Sequence, residues 1–356
     1  MDLSHQPNHE SGSLMTIGRK HPVAARILRR WRLLSGGAGV PDTARRTVVA
    51  CSGGVDSVGL AVVLSLVKPK PVIAHITHDI RSEEETHKDL AHVRNLAEQL
   101  GCRFVHRSVR VAGMDGNLEG NARDARYKAL DAIANETGCG YIAIGHQGDD
   151  QAETVLMHLL RGAGVHGLGG IREQRTLANS MVIRPMLSVR RAEIEKLCTQ
   201  ANVSYRHDPT NDDQSLTRNR IRHSLIPMLE SIREDAVDRL IDSSGNCRDA
   251  AAVISGLIDE EYRLWDQDCE GISCARSHAR TIEAPVFAGV LRKHVLIANQ
   301  GAGLDSMPRR SVLDVLRSIR TDSTDPTDHR VGPLVVRVRA HTIYVSISRE
   351  TGGSRG

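Results

Sequence analysis

The sequence predicts an α/β fold in which a doubly wound parallel sheet is followed by a smaller α+β domain. From residue 46 to about 161, short apolar runs alternate with segments of helical periodicity, a pattern typical of parallel strands covered by helices on both faces. A glycine-rich turn, CSGGVDS at 51–57, lies between the first strand and the first helix of this series. After about residue 232 the alternation stops, which indicates a second domain.

The individual elements follow from the same periodicities. Strands are predicted at 47–51, 72–75, 103–109 and 141–145, and helices at 56–67, 84–100, 117–137, 149–161 and 190–201. The last part is predicted to contain helices at 235–265, 284–298 and 309–320 and strands at 335–339 and 342–346. Because parallel sheets bind ligands beyond the carboxyl ends of their strands, the turn at 51–57 and residues 145–150 are expected to share one crevice.

The changes in pattern also predict the boundaries of three segments. Residues 1–20 are polar and rich in Ser and His, and we expect a disordered lead. A first domain is predicted over 21–232 and a C-terminal helical and α+β domain over 233–356. The first domain opens with a predicted basic amphipathic helix at 21–34, which we expect to pack on the body of the domain instead of reaching out to RNA.

Composition narrows the class of protein. The net charge of +4 permits nucleic-acid binding without demanding it, and an aromatic content of 3% leaves little material for recognising bases by stacking. The seven cysteines include no C-x-x-C pair, which favours reduced thiols in the cytoplasm. The first twenty residues lack an apolar signal core, and no apolar run reaches the ~18 residues that a membrane span needs.

The turn at 51–57 admits more than one interpretation. A Walker A loop requires a Lys after its glycines and a nucleophile elbow requires G-x-S-x-G, and the sequence has neither. Two interpretations remain: a loop whose backbone N–H groups and serine hydroxyls hold phosphate at a helix N-terminus, or an ordinary turn with Asp56 as a helix cap. The phosphate interpretation requires Mg²⁺ between Asp56 and the phosphates, because a bare carboxylate repels them.

The segment SGGVDS resembles the pyrophosphatase loop of the N-type ATP pyrophosphatases, the PP-loop superfamily, whose fold is of the adenine nucleotide alpha hydrolase type. Further motifs over 46–230 resemble, in order, the tRNA(Ile)-lysidine synthetase family: HITHDIR (75–81), NLEGNARDARY (117–127), GHQGDDQAETVLMHLLRGAGVHGLGG (145–170), IRPML (183–187), DPTN (208–211) and RNRIRH (218–223). Thr77 and Asp79 depart from the family pattern, which leaves the structure of that segment open.

The resemblance implies a ligase that forms a carbon–nitrogen bond, with ATP and Mg²⁺ as cofactors. ATP would adenylate the wobble cytidine of a CAU-anticodon tRNA(Ile) and release pyrophosphate. The amine of free lysine would then displace AMP and so switch decoding from AUG to AUA. The sequence leaves open whether the chain forms a homodimer, and it indicates no membrane partner.

The resemblance also implies roles for individual residues. Asp150 and Glu153, three positions apart on one helix, would handle lysine or metal, whereas Asp149 is read as a first-turn acid. The implied catalytic set is Asp56, Asp150, Glu153, His146 and Arg126. The implied ATP contacts are Ser52, Gly53, Gly54, Val55, Asp56, Ser57, His75 and His78, with Asp56 as the Mg²⁺ ligand. The implied tRNA contacts are Arg218, Arg220 and Arg222. The resemblance further implies that 21–232 is the catalytic PP-loop domain and that the C-terminal domain over 233–356 binds tRNA.

Three other functions make different demands on the sequence. A tRNA thiolase of the same superfamily would call on paired cysteines near the site, and a free-nucleotide amidotransferase would need a glutaminase domain or subunit. A non-enzymatic ATP-binding module would need only the loop and would have no use for Asp150, Glu153 and the arginines at 218–222.

Overall fold

The computed structural model describes residues 17–79, 82–112, 118–206, 217–299 and 307–348. The chain divides into two compact units, Met1–Asn246 and Cys247–Gly356. The predicted disordered lead over 1–20 lies mostly outside the described residues, and so does the DPTN motif at 208–211.

The first unit alternates strands and helices as the sequence predicts. Its strands are β1 (Thr47–Ala50), β2 (Val72–His78), β3 (Arg103–Val109), β4 (Tyr141–Ile144), β5 (Gln174–Thr176) and β6 (Met181–Ile183). Its helices are α1 (Pro22–Leu34), α2 (Val55–Leu64), α3 (Glu83–Gln99), α4 (Leu118–Glu136), α5 (Gly148–Leu160), α6 (Val165–Leu168), α7 (Arg191–Gln200), α8 (Thr217–Arg220) and α9 (Ile226–Ile232). A π-helical stretch, Ile221–Leu225, joins α8 to α9.

The six strands form one sheet in the order β3-β2-β1-β4-β6-β5. β1 pairs in parallel with β2 and β4, β2 with β3, and β4 with β6, which confirms the predicted parallel sheet. The antiparallel edge strand β5 and its neighbour β6 were not predicted. Each has only three residues, which is too short to display a strand periodicity.

The apolar side chains of the strands alternate between two cores, one on each face of the sheet. Val49, Ile73 and Ala143 pack with α1, α2, α3 and α7. Val48 and Ile142 pack on the opposite face with α4. The predicted amphipathic helix α1 is confirmed as part of the body: its buried residues include Val23, Ile27, Trp31 and Leu34. The helical spacing of Leu118, Ala122, Ala125 and Ala129 predicts one buried side of α4, and that prediction is wrong for Leu118, which is 45% exposed at the start of the helix.

The second unit contains an antiparallel sheet of five strands in the order β7-β8-β11-β10-β9. The strands are β7 (Asp266–Gln267), β8 (Gly271–Ala275), β9 (Thr327–Val331), β10 (Leu334–Val338) and β11 (Thr342–Ile347). The helices are α10 (Ala236–Arg263), which begins in the first unit, α11 (Arg276–Ala279), α12 (Ala284–Ala298) and α13 (Arg309–Arg320). The sequence predicted β10 and β11 but not β7, β8 or β9, because these three are short or carry polar residues along their length.

Buried contacts hold the second unit together. Phe287, Leu316 and Val336 belong to one apolar core that joins the helices to the sheet. The buried guanidinium of Arg276 donates hydrogen bonds to the carbonyl oxygens of Ser318 and Thr321 at the end of α13, at 2.8 and 2.6 Å. These bonds satisfy carbonyl groups that a helix end leaves without partners. Among the described residues of the whole chain, no helix has the length and apolar character that crossing a bilayer requires.

Candidate nucleotide and cation site

The turn at 51–57 begins where β1 ends and finishes inside the first turn of α2, whose N-cap is Gly54. Gly53 adopts a φ of +95°, a conformation that glycine tolerates and that lets the chain reverse here. The hydroxyl of Ser57 donates to the carbonyl of Gly54 at 2.9 Å and accepts from the backbone N–H of Ser52 at 3.1 Å. The loop is therefore fixed internally, while the side chain of Ser52 stays exposed.

The loop presents backbone groups to a ligand more than side chains. Val55 packs into the core, so it can contribute only its N–H to a ligand, as the first residue of α2. The first N–H groups of a helix have no partner inside the helix and carry part of its positive dipole. A phosphate group placed here would meet several N–H donors. This geometry favours the phosphate interpretation of the turn over the ordinary-turn interpretation.

Asp56 lies in the first turn of α2 with a carboxyl group that the fold leaves poorly compensated. Its Oδ1 is buried and has no hydrogen-bond partner among the described residues, and Oδ2 lies 3.7 Å from Nη1 of Arg191. Burial, and next the charge of Asp150, raise the pKa of the Asp56 carboxyl to about 7, although Arg191 opposes them. Because Arg191 does not offset burial and the charge of Asp150, a further cation at Oδ1 would stabilise the ionised carboxylate.

The end of β4 lies directly against the loop, as the shared-crevice prediction requires. A Cβ atom on Gly145 would come within 3.0 Å of the backbone of Asp56 and Ser57, so only glycine permits this approach. The charge of Asp150, at the start of α5, acts on Asp56. The two segments are therefore neighbours, and the crevice that they are predicted to share stays a prediction.

The two carboxylates of α5 already hold cationic groups. Arg218 donates from Nε to Glu153 at 2.6 Å and from Nη2 to Asp150 at 2.7 Å. Arg222 donates from Nε to the other oxygen of Glu153 at 2.6 Å. The Glu153 side chain is fully buried, so this pair of carboxylates is a built cation site at the edge of the crevice. Arg218 and Arg222, two of the three arginines predicted to contact tRNA, therefore form ion pairs with the carboxylates predicted to handle lysine or metal.

His146, two residues beyond β4, is held by a neighbour that sequence reasoning missed. Arg184, which directly follows β6, donates from Nε to Nδ1 of His146 at 3.1 Å. Because Nδ1 accepts this bond, the proton of the neutral ring is on Nε2. Burial, and next the charges of Arg184 and Arg123, lower the pKa of His146 to about 3. The ring is therefore a neutral hydrogen-bond donor at physiological pH.

The two histidines of β2 differ in their surroundings. His75 is 4% exposed and donates from Nδ1 to the carbonyl of Cys51 at 2.8 Å, which supports the start of the turn. His78 ends the strand and is half-buried. Side chains three positions apart on a strand point to opposite faces, so the two rings do not lie side by side. Their predicted contacts with ATP stay predictions.

The remaining predicted residues take the following positions. Arg126 is exposed on α4, and Arg220 is exposed at the end of α8. Asp149 is occupied structurally: it accepts from Arg190 at 3.0 Å and from the backbone N–H of Arg191 at 2.8 Å, which ties α5 to α7. That contact agrees with the structural interpretation of Asp149.

The departure from the family pattern at Asp79 has a structural explanation. Its Oδ1 accepts from the backbone N–H groups of Val111 and Ala112, at 2.8 and 3.2 Å, so it joins the chain beyond β2 to the chain beyond β3. These backbone bonds lower the pKa of the Asp79 carboxyl. Thr77 is buried and its hydroxyl is hydrogen-bonded to Nε2 of His106 at 3.0 Å.

The residues present fit a divalent cation at Asp56. The described part of the chain contains no group of three or more His, Cys, Asp or Glu side chains that would form a cation cage of their own. Mg²⁺ is commonly held by one or two carboxylates together with substrate phosphates, which is the arrangement that the orphaned Oδ1 of Asp56 beside a phosphate-binding turn would provide.

Comparison with known proteins agrees with the fold. Residues 29–229, more than half of the chain, match the PP-loop domain family. The chain is therefore a member of the PP-loop class of proteins.

Individual relatives narrow the class further. The chain is 33% identical over 270 residues to the tRNA(Ile)-lysidine synthase of Streptomyces coelicolor, covering 74% of this chain and 75% of that protein. It is 36% identical over 249 residues to the enzyme of that name from Geobacter sulfurreducens (68% of this chain, 52% of that one) and 40% identical over 192 residues to that of Nostoc sp. (52% and 55%). The chain belongs to the tRNA(Ile)-lysidine synthase family of PP-loop proteins, which confirms the resemblance of its motifs. It spans about half the length of the Geobacter and Nostoc relatives.

Proposed function

We propose that the protein is a tRNA(Ile)-lysidine synthetase. The O2 oxygen of the wobble cytidine of a CAU-anticodon tRNA(Ile) attacks the α-phosphorus of ATP, and the bond to the β-phosphate oxygen breaks to release pyrophosphate. The amine of free lysine then attacks carbon 2, the carbon–oxygen bond breaks, and AMP leaves with the former O2 oxygen. The lysidine formed switches decoding from AUG to AUA.

One observation carries this proposal: the PP-loop lies beside a pair of carboxylates that hold cationic groups. Glu153 and Asp150 accept hydrogen bonds from Arg218 at 2.6 and 2.7 Å, and Asp150 acts electrostatically on Asp56 of the loop. A simple ATP-binding module has no use for such a site, whereas an enzyme that joins the amine of lysine to an adenylated base requires one.

The loop supplies the ATP contacts. We infer that the backbone N–H groups of 53–57 and the hydroxyl of Ser52 hold the phosphates, and that Asp56 is the protein ligand of Mg²⁺. When bound, Mg²⁺ would neutralise charge on the leaving pyrophosphate. The close approach of Gly145 to Asp56 supports the proposal that the residues beyond β4 contact the same nucleotide.

His146 and Arg126 serve the adenylated intermediate. His146 donates through Nε2–H, because Arg184 occupies its Nδ1. Because burial and the neighbouring arginines lower the pKa of His146 and keep the ring neutral, we assign it to hydrogen bonding with a phosphate oxygen of the adenylate. Arg126, exposed on α4, is assigned to the phosphate or the cytidine.

The carboxylates of α5 position the nucleophile. Lysine brings an ammonium group that must lose a proton before it attacks, and a carboxylate site both binds the cation and receives that proton. Lysine would take up hydrogen bonds now made by Arg218, which is 43% exposed at its side chain and so lies on the open side of the pair. Arg218, Arg220 and Arg222 are proposed to contact tRNA. Among the described residues, Arg220 forms no ion pair with a carboxylate, so contact with tRNA would not require it to break one.

The cytoplasm is the proposed location, since all seven cysteines are free thiols and the proposed substrates are found there.

The test is incubation with ATP, labelled lysine and tRNA(Ile) carrying a CAU anticodon, with label counted in the tRNA. The matched control is the same tRNA with G34 in place of C34. We expect label only in the C34 tRNA, one round of pyrophosphate release that needs the tRNA, and sustained pyrophosphate release that needs both tRNA and lysine. Sustained pyrophosphate release with no lysine entering the tRNA, or lysine entering both tRNAs equally, would contradict the proposal.

A further inference from the structure

A cluster of arginines surrounds one buried tyrosine on the side of the site away from the PP-loop. The guanidinium groups of Arg123 and Arg175 lie over the ring of Tyr127, 5.7 and 4.6 Å from its centroid. Arg184 donates from Nη2 to the Tyr127 hydroxyl at 3.0 Å. Arg123 and Arg175 are exposed, whereas Tyr127 and Arg184 are 6% and 3% exposed. We call these four residues the Tyr127 cluster.

The strand order fixes where this cluster lies. Arg184 follows the carboxyl end of β6, and Arg175 lies in β5 opposite Val182 of β6. The PP-loop follows the carboxyl end of β1, and β4 lies between β1 and β6 in the sheet. The PP-loop and the Tyr127 cluster therefore flank the end of β4, which is followed by His146 and α5. A ligand on the cluster and a nucleotide on the loop would approach the same residues from opposite sides.

The positive charge of the cluster shifts the pKa values of the groups inside it. Burial raises the pKa of the Tyr127 hydroxyl, but Arg184 and Arg123 outweigh burial, and the net change is downward. The pKa of Arg184 is lowered by burial, and the charges of Arg123 and Arg175 add to that effect. Among the side chains that the structure describes, no carboxylate forms an ion pair with Arg123 or Arg175. Asp124, exposed on α4, is the acidic residue next to Arg123 in sequence.

We propose that the Tyr127 cluster binds the phosphate backbone of the RNA substrate and brings that RNA to the reaction centre from the β5 side of the sheet. That the RNA is a tRNA(Ile) rests on the proposed function. Guanidinium groups stacked on a ring are held in place before binding, so they lose little freedom on contacting phosphate, and their planar donors match its oxygens. Since Arg218 and Arg222 are held by carboxylates, the cluster provides charge that those residues do not.

The main variant is the double substitution Arg123→Ala with Arg175→Ala. Its matched control is Arg29→Ala with Arg103→Ala, two exposed arginines of which Arg103 opens β3 and so lies at the opposite, amino-terminal edge of the sheet. The probe is unmodified CAU-anticodon tRNA(Ile), without ATP or lysine, in filter binding over a series of KCl concentrations. A second variant, Arg123→Lys with Arg175→Lys, keeps the charge and loses the planar fork.

Each lost phosphate contact should reduce the slope of log K against log salt by about 0.7–0.9. At ~0.1 M salt this corresponds to about 5- to 8-fold in Kd per arginine, thus roughly 25- to 60-fold for the alanine double variant. The lysine variant should retain most of the slope, and the Arg29 and Arg103 control should bind as the wild type does. Thermal melting of each variant checks that it is folded. Arg175→Ala alone, on an exposed edge strand, gives a second test in which the expected change in salt slope is half as large.

Unchanged Kd and unchanged salt slope in a folded Arg123 and Arg175 variant would overturn the proposal. An equal loss in the control pair would also overturn it, since the effect would then be one of overall charge. Loss of ATP affinity with tRNA binding intact would reassign the cluster to the nucleotide. If the wild type binds the tRNA through these residues and yet inserts no lysine, the proposed function fails while the RNA surface stands.

Discussion

Replacing Asp56 by Asn should make the metal-free protein more stable at pH 8 while abolishing its activity. The carboxyl loses solvation in the folded state and gains no hydrogen bond at Oδ1, and its pKa rises from 3.8 to about 7. At about 1.4 kcal/mol per pH unit, that change costs the folded protein up to about 4 kcal/mol above pH 7. Asn has nearly the same shape and carries no charge, so it removes this cost.

The pH dependence has a definite sign. Below about pH 3 the carboxyl is protonated in both the folded and the unfolded state, and the cost is absent. Between pH 4 and 7 the folded protein keeps a proton that the unfolded chain has released, so the free energy of unfolding of the wild type falls as pH rises through this range. Above pH 7 the cost is constant. The advantage of Asp56→Asn should therefore be largest at pH 8 and less than half as large at pH 5.

The assay is urea unfolding in the presence of a chelator at pH 5 and pH 8, with pyrophosphate release measured in parallel with Mg²⁺. We expect the variant to gain about 2–4 kcal/mol at pH 8 and to lose at least ~100-fold in pyrophosphate release. Asp235→Asn is the control of opposite sign, because hydrogen bonds from Arg233 and Arg239 lower the pKa of the Asp235 carboxyl to about 2. A gain at Asp56 that does not vary with pH, or no gain at all, would refute the reasoning.

Three further substitutions test other parts of the site. Glu153→Gln leaves Arg218 facing a neutral amide, so it should raise the KM for lysine at least ~10-fold and lower the free energy of unfolding by about 3 kcal/mol, with tRNA affinity in gel shifts unchanged. Arg184→Met removes the donor to Nδ1 of His146, so the ¹⁵N chemical shifts of that ring should show a changed tautomer and a raised pKa. Arg184→Lys should restore the wild-type shifts in part. Identical shifts in the wild type and both variants would contradict the assignment. Arg220→Ala should reduce the salt slope of tRNA binding by about 0.7–0.9, and a slope equal to that of the wild type would remove Arg220 from the RNA surface.

The alternation of strands and helices could be predicted from the sequence because long elements repeat their apolar pattern. β1 to β4 and the helices after them have four or more residues and continuous apolar faces, so periodicity located them. β5 and β6 have three residues each, and they form because β4 offers them an unpaired edge. That is a property of the assembled sheet, and no local window of the sequence contains it.

The site could be predicted from the sequence only where its residues are close together along the chain or belong to a motif. The turn at 51–57 and the residues after β4 were expected to meet, because parallel strands end at one edge. The contacts of Arg218 and Arg222 with Asp150 and Glu153 join residues 65 to 69 positions apart, and a charge pattern does not show which opposite charges will meet across such a distance. Arg184 lay within a quoted motif, but its role depends on burial next to His146, which only the fold reveals.

The central claim, that cytidine oxygen displaces pyrophosphate and lysine then displaces AMP, is tested most directly by following that oxygen. A CAU-anticodon tRNA(Ile) carrying ¹⁸O at carbon 2 of the wobble cytidine would be incubated with ATP and lysine, and the AMP analysed by mass spectrometry. We predict one ¹⁸O atom in the phosphate of AMP for each lysine inserted. AMP without ¹⁸O, with lysine nonetheless joined to the tRNA, would contradict the mechanism.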